Sequence, residues 1–167
     1  MHVDINSCFA TVEQQANPLL RHKPTVVAAY VKDYGCILAA SREAKVLGIK
    51  TGKYVGEAKK IYPRVMVLPP DPPKYRIVNR KLLGLLRSYT ADISVESIDE
   101  MVMSLYGAPI LTTHTMEEVA REIKARIKNE IGEWITVSCG IAPNRKHAKV
   151  ASGLQKPDGL VTNTKES

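Results

Sequence analysis

Two acidic patches stand out from their surroundings. Asp4 lies in His2-Val3-Asp4-Ile5-Asn6, and Asp99 and Glu100 lie in Ser97-Ile98-Asp99-Glu100, just ahead of the apolar run Met101-Val102-Met103. Carboxylates inside apolar sequence are costly to bury unless they are solvated or matched by positive charge. Hard divalent cations supply that match, and magnesium takes one or two carboxylates with water and substrate phosphate completing its shell. Three carboxylates gathered at one place could hold two cations about 3.5–4 Å apart, the spacing used for in-line phosphoryl displacement. The same residues also suit an ordinary exposed acidic turn. Neighbours in a regular strand point to opposite faces, so Asp99 and Glu100 can serve one site only at a strand end or an irregular turn.

Directly after Asp4 comes Asn6-Ser7-Cys8-Phe9-Ala10. A strand running into a helix N-terminus offers amides and a positive dipole end to phosphate, although plain helix capping reads as well. Arg42 and Lys45, three apart in Ser41-Arg42-Glu43-Ala44-Lys45, share a helix face and suit either phosphate or solvent. Further positive charge follows at Arg145, Lys146, Lys149 and Lys156. The histidines fit no ligand spacing. No GxxxxGK[ST] loop, GxGxxG turn or GxSxG elbow occurs.

These groups need elements to position them. His2 to Asn6 alternates as a half-buried strand does, with Val3 and Ile5 toward a core and Asp4 and Asn6 on the other face. Ser7 to Ala16 reads as a helix started by Asn6 or Ser7 and stopped before Pro18. Thr25–Tyr30 and Cys36–Ala40 read as strands around the turn Lys32-Asp33-Tyr34-Gly35. Short helices are predicted over Arg42–Leu47 and Val55–Ile61. Pro69-Pro70-Asp71-Pro72-Pro73 marks a boundary, followed by helical spacing from Lys74 to Tyr89. Asp92–Glu96 and Ile98–Leu105 read as paired strands. Thr115-Met116-Glu117-Glu118 is a capping-box signature for a helix burying Met116, Val119, Ala120, Ile123, Ile127 and Ile131 and ending at Gly132. Trp134–Ile141 reads as a strand and Asn144–Leu154 as a basic helix. Leaving out residues 20–70, the order strand, helix, strand, strand, helix, strand predicts an α+β fold with an antiparallel sheet and helices on one face. In a ferredoxin-like sheet of that order the first and third strands are central neighbours, which brings Asp4 beside Asp99.

The chain has 167 residues, 44% hydrophobic and 25% charged, which suits a globular protein rather than a disordered one. A net charge of +7 favours polyanionic partners. Cys8, Cys36 and Cys139 form no CxxC and make a disulfide framework or zinc site a poor expectation. No secretion-signal pattern and no apolar run of membrane-spanning length is visible, so a soluble, intracellular, cytoplasmic protein is expected (nucleoid-associated in a prokaryote).

Taken together the motifs resemble those of the Y-family, or ImpB/MucB/SamB-type, translesion DNA polymerases. Asp4-Ile5-Asn6-Ser7-Cys8-Phe9-Ala10-Thr11-Val12-Glu13 resembles their opening motif. Ser41-Arg42-Glu43-Ala44-Lys45 with Leu47-Gly48-Ile49-Lys50-Thr51-Gly52 resembles their fingers motif, and Ser97-Ile98-Asp99-Glu100 their second carboxylate motif. Cys139-Gly140-Ile141-Ala142-Pro143-Asn144, Ala148-Lys149-Val150-Ala151-Ser152 and Lys156-Pro157-Asp158-Gly159 resemble the stretch closing their palm.

The resemblance implies a ferredoxin-like palm over residues 1–18 and 70–164 with an inserted fingers subdomain over 19–69. It implies two-metal nucleotidyl transfer from a deoxynucleoside triphosphate to a primer 3′-hydroxyl on primer-template DNA. Asp4, Asp99, Glu100 and the backbone carbonyl of Ile5 would bind two Mg2+ ions, with Mn2+ able to substitute. Phe9 would be the steric gate under the deoxyribose. The amides of Cys8 and Phe9, with Arg42, Lys45 and Lys156, would hold the triphosphate. Ala29, Cys36, Leu38 and Gly52 would form the surface over the nascent base pair. Asn6 stands where many relatives carry a second Asp, and Arg42 where many have Tyr. Family members continue into a thumb and a little finger, so a truncated catalytic core is expected, with any sliding-clamp contact carried by that missing part. The alternatives are a catalytically silent nucleic-acid-binding remnant and a palm-type nucleotide cyclase.

Overall fold

A computed structural model describes residues 1–163. In chain order its main elements are β1 (His2–Ile5), α1 (Cys8–Ala16), β2 (Thr25–Ala28), β3 (Ile37–Ala40), α2 (Arg42–Val46), α3 (Val55–Ile61), β4 (Met66–Leu68), α4 (Pro72–Arg87), β5 (Ile93–Val95), β6 (Glu100–Met103), α5 (Met116–Arg126), β7 (Val137–Ile141), α6 (Arg145–Leu154) and β8 (Leu160–Thr162). The chain divides into two compact units. One is Met1–Asn6 with the described residues from Arg76 onward, and the other is Ser7–Tyr75.

The first unit is built on a five-stranded sheet in the order β5-β6-β1-β7-β8. The first four strands pair antiparallel. β8 pairs parallel to β7 because α6 carries the chain back between them, as a parallel connection requires. β1 is central and every residue in it is buried. Period-two alternation then sends His2 and Asp4 to one face and Val3 and Ile5 to the other.

α6 covers the His2 face, packing on β7, β1 and β8. Its approach depends on Gly140: a Cβ there would lie 2.0 Å from the carbonyl oxygen of Ala148 and 2.4 Å from the amide of Ser152. Asn144 caps α6 by accepting from the amide of His147 at 2.9 Å.

α5 begins at the capping box read from sequence. The Thr115 hydroxyl accepts from the Glu118 amide at 3.2 Å, and the Glu118 carboxylate accepts from the Thr115 amide at 2.8 Å. The helix buries Val119, Ala120 and Ile123 and continues as a wider turn over Ile127–Ile131. Burying each large apolar side chain of this kind contributes roughly 1.5–3 kcal/mol.

The second unit carries a three-stranded sheet, β3-β2-β4. One set of side chains (Val26, Ala28, Ile37 and Ala40) packs with Ala44, Ile49, Val55 and Ala58. A second set (Val27 and Ala39) packs with Ala10 of α1, and Phe9 and Leu68 lie against it. α1 joins this unit because it packs on β2 and β3.

Several expectations shift. The strand expected over Thr25–Tyr30 ends at Ala28, and the one expected from Cys36 begins at Ile37, with Cys36 bridged singly to Tyr54. The last sheet strand predicted, over Trp134–Ile141, starts at Val137. α4 starts at Pro72, inside the proline cluster, where missing amides cost nothing. Neither Asn6 nor Ser7 caps α1. Ser7 adopts a left-handed backbone (φ 49°, ψ 43°) with no side-chain cap, and the Asn6 side chain is engaged elsewhere. β4 and β8, three residues each, have no periodic signal to announce them.

Candidate functional site

The register of β1 sets the geometry of the acidic groups. Asp4 lies directly opposite Glu100 on β6 and Ser138 on β7. Directly opposed residues in an antiparallel pair share a face with Cβ atoms about 4.5–5.5 Å apart. Asp99 is the residue just before β6, and its carbonyl accepts from the amide of Ile5 at 2.9 Å. The strand-end condition for Asp99 and Glu100 is therefore met. Ser97 organises this turn: its hydroxyl bonds the Asp99 carboxylate at 2.7 Å and accepts from the Glu100 amide at 3.1 Å.

Two lysines balance the acids. Lys156 Nζ donates to Asp4 at 2.6 Å, and Lys149 Nζ donates to Glu100 at 2.7 Å. Burial pushes the Asp4 carboxyl above its ordinary value, and the charges of Asp99 and Glu100 push the same way, against the pull of Lys156. The Lys149 ammonium holds Glu100 below its ordinary value. Among the described residues no group of three or more His, Cys, Asp and Glu side chains forms a ready-made ion cage; Asp4 and Glu100 are instead paired to ammonium groups.

His2 extends the cluster toward α6. Its Nδ1 lies 2.8 Å from the Ser152 hydroxyl, and that hydroxyl donates its one hydrogen to the carbonyl of Lys149. Nδ1 must then be the protonated ring nitrogen. The buried Nε2 is left without a hydrogen-bond partner, 3.6 Å from Glu100. Burial lowers the His2 pKa, which favours the neutral ring. Sequence reasoning missed His2 and Ser152. The one available signal was the i, i+2 spacing of His2 and Asp4.

Asn6 organises the loop that carries Lys156. Its Nδ2 donates to Ser138 Oγ at 2.9 Å, and its Oδ1 accepts from the Thr136 hydroxyl at 3.1 Å and from the Asp158 amide at 2.8 Å. Lys124 binds the carbonyl of Asp158 and its carboxylate, the latter at 3.1 Å, and Lys128 reaches the same carboxylate at 3.3 Å.

In the second unit Phe9 stacks on Tyr75, with ring centroids 4.4 Å apart and planes 11° off parallel. The Tyr75 hydroxyl donates to the buried Glu13 at 2.9 Å, and Lys74 pairs with the other Glu13 oxygen at 2.8 Å. Phe9 and Glu13 are one helical turn apart, so the stack and its anchor share a face of α1. Arg42 and Lys45 are exposed on α2, whose N-terminus is capped by the Ser41 hydroxyl. The Ala29 amide donates to the carbonyl of Cys36, and the Gly52 amide to the carbonyl of Ile37. These bonds join Ala29 to Cys36 and Gly52 to Ile37, the residue before Leu38; Cys36 is half-buried, and Ala29, Leu38 and Gly52 are exposed.

Comparison with known proteins gives a consistent result. The impB/mucB/samB family profile matches residues 3–153. DNA polymerase IV of Bacillus velezensis is 39% identical over 160 residues, covering 95% of this chain and 38% of the relative. DNA polymerase IV of Saccharolobus solfataricus is 34% identical and matches 96% of this chain and 46% of its own length. Among solved structures, an insertion ternary complex of Dbh DNA polymerase superposes with a TM-score of 0.88 at 33% identity, covering 98% of this chain and 48% of that one. DinB from Sulfolobus solfataricus gives 0.86 at 34% identity, covering 97% and 47%. The chain thus spans less than half the length of these relatives.

Proposed function

The chain belongs to the impB/mucB/samB family, and from that premise we propose that it is the catalytic portion of a translesion-type DNA-directed DNA polymerase. Its substrates would be a primer-template DNA and a deoxynucleoside triphosphate, and its reaction nucleotidyl transfer to the primer 3′-hydroxyl. The observation that carries the reading is the register that sets Asp4 opposite Glu100 at the centre of a buried sheet, beside Asp99.

The donor chemistry fits magnesium. The oxygens are hard, the pKa of the Asp4 carboxyl is raised by burial and by its acidic neighbours, and its ion-pair partner is a half-exposed lysine. Asp4, Asp99, Glu100 and the carbonyl of Ile5 would hold two ions, with manganese able to substitute. Such ions supply a lowered pKa at the primer hydroxyl and charge compensation at the departing pyrophosphate.

The chain's own groups do the rest. Lys156 and Lys149 stand in as counter-charges and, once displaced from Asp4 and Glu100, can meet phosphate. The amides of Cys8 and Phe9, Arg42, Lys45 and Lys156 would bind the triphosphate. Phe9, held rigid by its stack on Tyr75, would exclude a 2′-hydroxyl. Small exposed residues at Ala29 and Gly52, with Cys36 and Leu38, would leave room over a distorted base pair. Residues 19–69 would act as fingers and the five-stranded sheet as palm.

Calorimetric titration of the chain with dATP tests this reading. Magnesium-dependent binding is expected in the wild type, with a loss of at least about tenfold in Glu100→Gln, the effect of about 1.4 kcal/mol. Equal binding with and without magnesium, or in both proteins, overturns it. The lysine pairing of both acids is the one observation favouring a catalytically silent DNA-binding role, and salt-sensitive DNA affinity without that magnesium dependence selects it.

A further inference from the structure

The positive charge of this chain is unevenly distributed. Residues 7–75 hold eleven Lys and Arg against five Asp and Glu, whereas the remainder holds thirteen against twelve. The excess that favours a polyanion therefore belongs almost entirely to the second unit.

Within that unit one loop combines charge with exposed aromatic surface. The hairpin joining β2 to β3 carries Tyr30, 63% exposed, and Tyr34, 69% exposed, with ring centroids 5.9 Å apart and a 47° tilt. The segment before α3 adds Tyr54, 54% exposed, tied alongside by its bridge to Cys36. Single exposed aromatics need no explanation, but two in contact, with a third on the segment bridged to their hairpin, do.

The loop is ordered rather than loose. The amide of Gly35 donates to Lys32 at 2.8 Å, the amide of Ala29 to Cys36 at 2.9 Å, and the amide of Gly56 to Asp33 at 2.9 Å. Gly35 is required, since a Cβ there would lie 1.7 Å from the carbonyl oxygen of Tyr30. The loop's one acid, Asp33, is paired to Lys59 at 2.7 Å. Lys32 and Lys53 flank the rings along the chain, and no uncompensated acid stands in residues 29–36.

Pre-ordered rings set among lysines are the ingredients of sequence-tolerant single-strand binding. Each base presents a π-face to stack, and the cations track the backbone. We propose that the Tyr30–Tyr34 hairpin, with Tyr54, is a stacking platform for unpaired bases of single-stranded DNA. Resting on the polymerase reading, the natural ligand is unpaired template. The platform itself needs no metal and no triphosphate.

Fluorescence anisotropy of a labelled oligodeoxythymidylate, titrated with the chain across a salt series, tests the proposal. Tyr30→Ala/Tyr34→Ala is expected to weaken single-strand binding by at least about fivefold per ring, the lower end of what one stacked base contributes. Its salt slope and its affinity for a blunt duplex should match the wild type. Tyr30→Phe/Tyr34→Phe, which keeps both rings, should restore affinity. Lys32→Ala/Lys53→Ala should instead flatten the slope, by about 0.7 for each phosphate no longer neutralised. Unchanged single-strand affinity in Tyr30→Ala/Tyr34→Ala, or equal weakening on duplex, overturns the platform and assigns the rings to a protein partner or to solvent. Magnesium-dependent dATP binding, measured on the same variants, should be unaffected. If the wild type lacks it, the polymerase reading fails while the platform stands.

Discussion

Lys156→Met isolates the electrostatics of the acidic cluster, because methionine keeps much of the side chain's length and removes its charge. Asp4 is 7% exposed, and Lys156 is its ion-pair partner at 2.6 Å. A hydrogen bond to a charged group is worth roughly 1.5–3 kcal/mol. The Lys156 side chain is 43% exposed, so solvent screening reduces this to about 1–2 kcal/mol. The missing charge raises an Asp4 pKa that burial and the neighbouring acids have already raised. A carboxyl whose folded pKa lies above its unfolded value holds its proton more tightly when folded. Its contribution is complete below the ordinary carboxylate value and is lost as pH rises through the folded value. The variant should therefore match wild-type stability near pH 3, where the carboxyl is protonated in both proteins. It should fall about 1–2 kcal/mol short at pH 7, roughly 3–6 °C in melting temperature. Magnesium should recover more stability in the variant than in the wild type, since the ion supplies the charge the lysine gave. Urea unfolding across pH, with and without magnesium, reads all three quantities. An equal deficit at pH 3 and pH 7 would refute the charge argument and point to lost packing. An Asp4 carboxyl that titrates identically in both proteins, followed by carbon NMR, would refute it independently.

Three further outcomes follow from the same geometry. Gly140→Ala forces a methyl group to within 2.0 Å of the Ala148 carbonyl oxygen, so α6 must lift from the sheet at a cost of about 1–3 kcal/mol; a urea midpoint implying under about 1 kcal/mol, the low end for such overpacking, contradicts the contact. Phe9→Ala should admit ribonucleotides in competition between dATP and ATP, and unchanged sugar preference removes the gate role. Asn6→Leu removes the side-chain bonds to Ser138, Thr136 and Asp158 and should weaken dATP binding while the fold persists, whereas Asn6→Asp, which can still accept from Thr136 and Asp158, should bind nearly as the wild type. Equal binding by both Asn6 variants and the wild type would show that the Lys156 loop needs no tether.

The parts of the fold legible in the sequence are those whose cause is local. The Thr115–Glu118 reciprocal bonds and the apolar spacing through Ile127 together announce α5, and the two agree because a single helix satisfies both. The alternation of β1 and the order of strands and helices suffice to anticipate an α+β sheet with β1 beside β6. What escapes has non-local causes. β4 and β8 are strands only because β2 and β7 offer them edges. Ser7 takes a left-handed backbone without a side-chain cap, and the Asn6 side chain before it is engaged by Ser138, Thr136 and Asp158, all far along the chain.

The acidic residues can be picked out because carboxylates ahead of apolar strands are conspicuous, but their counter-charges cannot. Lys149 and Lys156 look like any basic residues of a helix and a turn until α6 folds over the His2–Asp4 face and the loop after it closes on Asn6. The folded chain therefore carries a device that residue types alone do not reveal. Each partnered acid is matched by an ammonium group that is itself substantially exposed, 64% for Lys149 and 43% for Lys156. An ammonium group reaching in from solvent is rehydrated when it leaves its partner, whereas Asp4, buried at the sheet centre, is costly to keep charged without one. In the proposed site the sheet would hold the acids in place, and the lysines, entering from solvent, would be the groups to give way to metal and turn to phosphate.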